Sequence, residues 1–175
     1  MINFRFILPM LVAASFAASP AKADEIIGGV YVHDVDTFFT IAGVEDGVDF
    51  QMGWRGDSIG KTRLQPYVFA AMNSSGNTNY AAAGVSMKFG DKFFIRPGVG
   101  LAVHTGSARN FQDDSNDELE FGSRILFEPE LGIGARINDR TTIEASWVHM
   151  SNAQIFDRDQ NPGIDNFGVR LSFKL

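Results

Sequence analysis

The stretch Phe167-Gly168-Val169-Arg170-Leu171-Ser172-Phe173-Lys174-Leu175 alternates without a break. Phe167, Val169, Leu171, Phe173 and Leu175 are apolar, and the residues between them are Gly168, Arg170, Ser172 and Lys174. A period of two with one apolar and one small or polar face is the pattern of a β-strand. The preceding hydrophobic run, Thr141-Thr142-Ile143-Glu144-Ala145-Ser146-Trp147-Val148-His149-Met150-Ser151, keeps the same parity through Ile143, Ala145 and Trp147, and then places His149 and Ser151 on the apolar face. Asp165 continues the apolar face of the last strand in the other direction. Side chains two apart in a strand share a face, so a histidine, a serine and an aspartate stand together on a surface that is otherwise greasy.

The same period repeats upstream. Val30 and Val32 oppose Tyr31 and His33; Val48, Phe50, Met52 and Trp54 oppose Asp49, Gln51, Gly53 and Arg55; and Leu64, Pro66, Val68, Ala70 and Met72 form the apolar side of a third strand. Ala81 to Phe89, Phe93 to Val103 and Ile125 to Ala135 continue the pattern, with odd positions apolar. Pro66 is an awkward strand residue, because proline has no N–H to give to a ladder. Gly90-Asp91, Asn138-Asp139-Arg140 and Asn73-Ser74-Ser75-Gly76-Asn77 carry turn chemistry. Gly56-Asp57-Ser58-Ile59-Gly60-Lys61-Thr62 is one residue short of a phosphate-binding loop and no helical pattern follows it, so it also reads as a turn.

These runs predict an all-β chain, an eight-stranded antiparallel transmembrane β-barrel in which short turns alternate with longer loops. A soluble barrel would be apolar inside and polar outside. Here the face opposite the apolar one carries Gly, Arg, Glu and Gln across most strands, and Arg124, Glu128, Glu130 and Arg136 are expected inside, where charges of both signs can pair.

Composition agrees. Met1-Ile2-Asn3-Phe4-Arg5, the apolar run from Phe6 to Ala14 and Ala21-Lys22-Ala23 have the three parts of a secretory signal peptide, which predicts residues 1–23 as the signal and residues 24–175 as the barrel. The remainder, roughly 150 residues, suits one domain. Without Arg5 and Lys22 its formal charge is about −8, which argues against nucleic acid as a partner. There is no cysteine, so no disulfide framework, thiolate metal site or thiol nucleophile is available. A homodimer is compatible with such a barrel. The acidic run from Asp113 to Glu120 reads as a solvated loop, with a divalent cation bridging lipid phosphates as the competing reading.

A serine becomes a nucleophile when an imidazole takes its proton and a carboxylate holds that imidazole in the right tautomer. His149 and Ser151 are two apart on one face, and Asp165 can reach His149 across the hairpin. Asn152, next to Ser151, is a candidate oxyanion donor. Polar groups facing hydrocarbon are costly and mark function. His33 and His104 have inward parity and no serine on their face. A barrel of eight strands is filled by its own side chains, so a lipid ester approaching from the membrane is the substrate class that fits.

The segments Trp147-Val148-His149-Met150-Ser151-Asn152 and Asn161-Pro162-Gly163-Ile164-Asp165 resemble the outer-membrane lipid A 3-O-deacylases, the PagL family, in their His-x-Ser-Asn motif and the turn before the last strand. The match covers the C-terminal strands; the rest agrees as a signal peptide and an eight-strand pattern. The resemblance implies a serine esterase of the outer membrane that removes the 3-O-linked acyl chain of lipid A in lipopolysaccharide. Ser151 would be the nucleophile, His149 the base and Asp165 the acid, with Asn152 near the oxyanion and no cofactor or metal. The family often has Glu where this chain has Asp165, and Leu175 stands where an aromatic residue is common. A non-catalytic barrel that binds lipid or acts as an adhesin, and a lipid A acyltransferase, are the alternatives.

Overall fold

The computed structural model describes residues 24–37, 40, 43–110, 118–155 and 161–175. The expected signal peptide, residues 1–23, lies outside the described residues, as do 113–117 of the acidic run. Eight strands follow one another: β1 (Glu25–Val32), β2 (Val48–Arg55), β3 (Leu64–Asn73), β4 (Tyr80–Met87), β5 (Phe93–His104), β6 (Ile125–Arg136), β7 (Thr141–Met150) and β8 (Ile164–Lys174). Phe89–Gly90 extends β4 past an interruption at Lys88, since its pairing Phe89↔Ile95 keeps the register of Ser86↔Gly98. Each strand is antiparallel to its sequence neighbours, and β1 pairs with β8 from Glu25↔Lys174 to Val32↔Phe167, which closes the sheet into a barrel. Closure leaves no strand edge to be satisfied in a membrane.

The predicted parity holds around the wall. Met52, Phe93, Met72 and Ile133 are the most exposed of the large apolar strand residues, at 73%, 72%, 67% and 62%. So large a continuous apolar surface belongs against hydrocarbon.

The lumen is filled by an ionic core. Arg55, Arg96 and Arg170 are fully buried with Glu25, Glu130 and Glu144: Arg170 Nη2 lies 2.7 Å from Glu130, Arg96 Nε 3.2 Å from Glu144 and Arg55 Nη1 3.4 Å from Glu25. Tyr67 donates its hydroxyl to Glu128, and Arg170 Nε donates to the Tyr31 hydroxyl and to Gln51, each at 2.9 Å. Glu128 and Glu130 are inside as expected, but Arg124 and Arg136 are not their partners. Both arginines stand at the rims, Arg136 on Asp91 at 2.8 Å and Arg124 on the carbonyls of His104 and Gly106. The rim gives a strand-end cation a hydrated exit, so it snorkels outward.

Pro66 does little harm. Its carbonyl accepts the Gly56 N–H at 2.7 Å just beyond the Arg55↔Tyr67 pair, so the missing N–H affects only the last rung of the β2–β3 ladder.

Short turns join β2–β3, β4–β5 and β6–β7 at one end of the barrel. The segments after β1, β3, β5 and β7 gather at the other, and those after β1, β5 and β7 are the longest connections. His33 N–H still follows the β1–β2 register to the Gly47 carbonyl at 3.2 Å, and the segment after β1 departs at Asp34, whose φ is +51°.

Candidate active site

At the loop end of the wall, β7 and β8 run in a register that makes His149 the direct cross-strand partner of Asp165 and Trp147 that of Phe167. Ser151 lies one residue past β7, held by a two-way backbone bridge to Phe127: its N–H donates to the Phe127 carbonyl at 3.1 Å and its carbonyl accepts the Phe127 N–H at 2.7 Å. The nucleophile candidate is therefore on fixed backbone, although it falls outside the regular strand.

The side chains form a relay. His149 Nδ1 is 2.8 Å from Asp165 Oδ1, and His149 Nε2 is 3.0 Å from Ser151 Oγ. The tautomer follows from the neighbours. Asp165 Oδ1 also accepts the Trp147 indole N–H at 2.7 Å, and Oδ2 accepts the Thr37 hydroxyl. An ionised carboxylate only accepts, so Nδ1 carries the histidine proton and Nε2 offers a lone pair to the Ser151 hydroxyl. This arrangement can take a proton from a serine as it attacks an ester carbon.

Asp165 is on the outward face, as parity requires, yet its side chain is completely buried, while that of His149 is 13% exposed. The cover comes from the segment after β1. Val35 N–H donates to the Asp165 carbonyl at 2.8 Å, Asp34 N–H donates to Asn166 Oδ1 at 3.0 Å, and Thr37 caps the carboxylate. The acid is thus shielded from lipid. Gly163, at φ +65°, passes beneath the imidazole: a Cβ there would stand 3.2 Å from His149 Cε1 and 3.1 Å from Thr40 Cγ2. Left-handed backbone of this kind favours glycine.

Asn152, expected as the oxyanion donor, has one of the two donors of its amide nitrogen engaged by backbone. One residue past Ser151 its side chain turns inward and is fully buried, its Nδ2 donating to the Phe121 carbonyl at 2.9 Å and its backbone N–H to Asn161 Oδ1 at 2.9 Å. Asn152 anchors the loops around the serine. Sequence parity passed over Trp147 and Thr37. The tryptophan read as one more apolar residue of the outward face, and Thr37 is 128 residues from the acid it caps.

The other histidines face inward. His33 lies between two carboxylates, Nδ1 at 2.9 Å from Asp49 and Nε2 at 3.0 Å from Glu45. Burial pushes its pKa down, but the hydrogen bonds of Asp49 and Glu45 outweigh this and raise it to about 9. Glu45 in turn accepts the backbone N–H and hydroxyl of Thr78, which ties the segment after β1 to the one after β3. His104 rests its Nε2 2.7 Å from the Ser123 carbonyl, with its ring on Phe121. In what remains of the acidic run, Glu120 pairs with Arg109 at 3.2 Å.

Below the relay, on the outer wall, Ile133, Gly134 and Ala135 of β6, Ile143 and Ala145 of β7, Val169 of β8 and Phe93 line an apolar groove of about 410 Å³.

A family model described as lipid A 3-O-deacylase (PagL) matches residues 42–174. Among solved structures, a crystal structure of the outer membrane enzyme PagL superimposes with a TM-score of 0.62 at 18% identity, covering 86% of this chain and 99% of that one. Neisserial surface protein A superimposes with a TM-score of 0.56 at 10% identity, covering 89% of this chain and 100% of that one. No curated protein matches.

Proposed function

Since the chain belongs to the lipid A 3-O-deacylase (PagL) family, we propose that the relay on its outer wall is the site of ester hydrolysis, with Ser151 as nucleophile, His149 as base and Asp165 as the acid that orients the imidazole. The protein is an outer-membrane hydrolase of lipid A; the residue roles are what this reading adds. The observation that carries them is a single imidazole with Nδ1 on a buried carboxylate and Nε2 on a serine hydroxyl, opening toward lipid.

Ser151 Oγ attacks the carbonyl carbon of the 3-O-linked acyl chain as its proton passes to His149 Nε2. The imidazolium is stabilised by Asp165 and then returns the proton to the departing sugar oxygen. Water attacks the acyl-serine by the same route, with His149 again the base, and the fatty acid leaves. The groove beside Ala145 and Ile133 is apolar and lies further along the same wall, about 20 Å down β7 from Ser151 at the rise of an extended strand. In this reading residues 1–23 export the chain, and the loop end faces the cell exterior, where lipid A resides. One barrel suffices, because all three groups come from β7, β8 and the residue after β7.

The test is product analysis with purified barrel and lipid A in mixed micelles. Hydrolysis yields free fatty acid and lipid A shorter by one acyl chain. A chain found instead on an added lipid acceptor would assign the site to acyl transfer.

A further inference from the structure

We propose that Thr37 and Trp147 are positioning residues for the acid. By donating to Asp165 they hold its carboxylate in the one orientation that fixes the His149 tautomer. This rests on the triad assigned above and adds to it a strap, residues 34–37, that contacts the start of β8.

A quarter-turn about the last side-chain torsion of Asp165 would carry Oδ1 out of line with His149 Nδ1 and break that contact. The two donors oppose that rotation from different sides. Trp147 is the diagonal neighbour of Asp165 on the same face, a position from which a large aromatic side chain reaches its partner, and its indole N–H meets Oδ1 at 2.7 Å beside His149 Nδ1. Thr37 donates to Oδ2, and the more distant Thr40 hydroxyl lies 3.5 Å from the same oxygen. Indole N–H can only donate, so Oδ1 is the acceptor in this contact. An aspartate has less reach than the glutamate of the family resemblance, so its carboxylate stays close to its own strand, where both donors can meet it.

The strap is itself fixed. Val35 N–H holds the Asp165 carbonyl, and Asp34 Oδ2 accepts the N–H groups of Val44 and Glu45, each at 3.0 Å. Phe167 and His149 flank the Trp147 ring, with centroids 6.4 and 6.0 Å away, so the indole keeps its orientation. These contacts make both donors rigid, which is what orienting a carboxylate requires.

The experiment measures kcat and KM on lipid A in micelles for wild type, Thr37→Val, Thr37→Ser and Trp147→Phe, each also in an Asp165→Asn background. Heat-modifiable migration confirms that every variant has assembled. Thr37→Val and Trp147→Phe should each lower kcat by roughly 10- to 100-fold, the scale of a small misplacement, with KM nearly unchanged. Thr37→Ser, which keeps the hydroxyl, should restore most of the rate. In the Asp165→Asn background the same two changes should cost almost nothing more, because residues that act through one partner are not additive. Full additivity, or wild-type kcat in assembled Thr37→Val and Trp147→Phe, would overturn the strap while leaving the triad standing. An active Ser151→Ala control would overturn both.

Discussion

Asp165 accepts His149 Nδ1 at 2.8 Å from directly across the β7–β8 ladder, and it does so from the lipid-side face while completely shielded from lipid. Asp165→Asn replaces an obligate acceptor with a group that also donates, which favours the wrong imidazole tautomer. Turnover should fall strongly, by a factor on the order of 10⁴ by analogy with soluble triads, with the barrel intact. Initial rates on lipid A with folding checked by gel migration test this. Full activity of Asp165→Asn beside an inactive His149→Ala would reduce the site to a Ser–His dyad.

Gly163 carries the turn into β8 directly beneath the imidazole. Gly163→Ala must strain a φ of +65° and bring a methyl to 3.2 Å from His149 Cε1. Activity should drop about tenfold or more, since a shift of this size displaces the base, while the free energy of unfolding falls by the ~1 kcal/mol expected for a left-handed alanine. Equal activity of Gly163→Ala and wild type would mean that the imidazole is not packed on this turn.

Val99 lies mid-strand on β5 and is 55% exposed, on the wall away from the relay. Val99→Arg should destabilise the barrel in bilayers by ~2–4 kcal/mol, read by reversible unfolding in denaturant. A neutral result would reverse the assignment of inside and outside.

His33, outside the strands, supplies a pH dependence. Its imidazolium is favoured in the folded barrel, with a pKa raised from 6.5 to about 9. Its stabilisation is therefore complete below pH about 6.5 and is lost as pH rises through about 9. Unfolding midpoints of the wild type should decline across that window by more than those of His33→Gln, whose side chain does not titrate. Parallel profiles for the two would remove His33 from the balance.

Much of the fold was legible because two periods coincide. Strand alternation put Phe167, Val169 and Leu171 on one face and Arg170 on the other, and the turn chemistry of Gly90 and Asn138 set the hairpins. Once β7 and β8 are a hairpin, His149 and Asp165 must approach, so the relay was legible too. Contacts made by closure were not. Glu130 finds Arg170 and Arg55 only when the sheet rolls up, and rim solvation draws Arg136 away to Asp91. Thr37 reaches Asp165 because β1 pairs with β8, a long-range pairing that local periodicity does not carry. Asn152 follows Ser151 in sequence, but strand parity sends its side chain inward to Phe121.

The central claim is that Ser151 attacks the ester. Mass spectrometry of lipid A from cells producing equal amounts of assembled wild type and Ser151→Ala tests it most directly. The account predicts loss of the mass of the 3-O-linked acyl chain with the wild type and unmodified lipid A with Ser151→Ala. Deacylated lipid A in cells producing Ser151→Ala would contradict it.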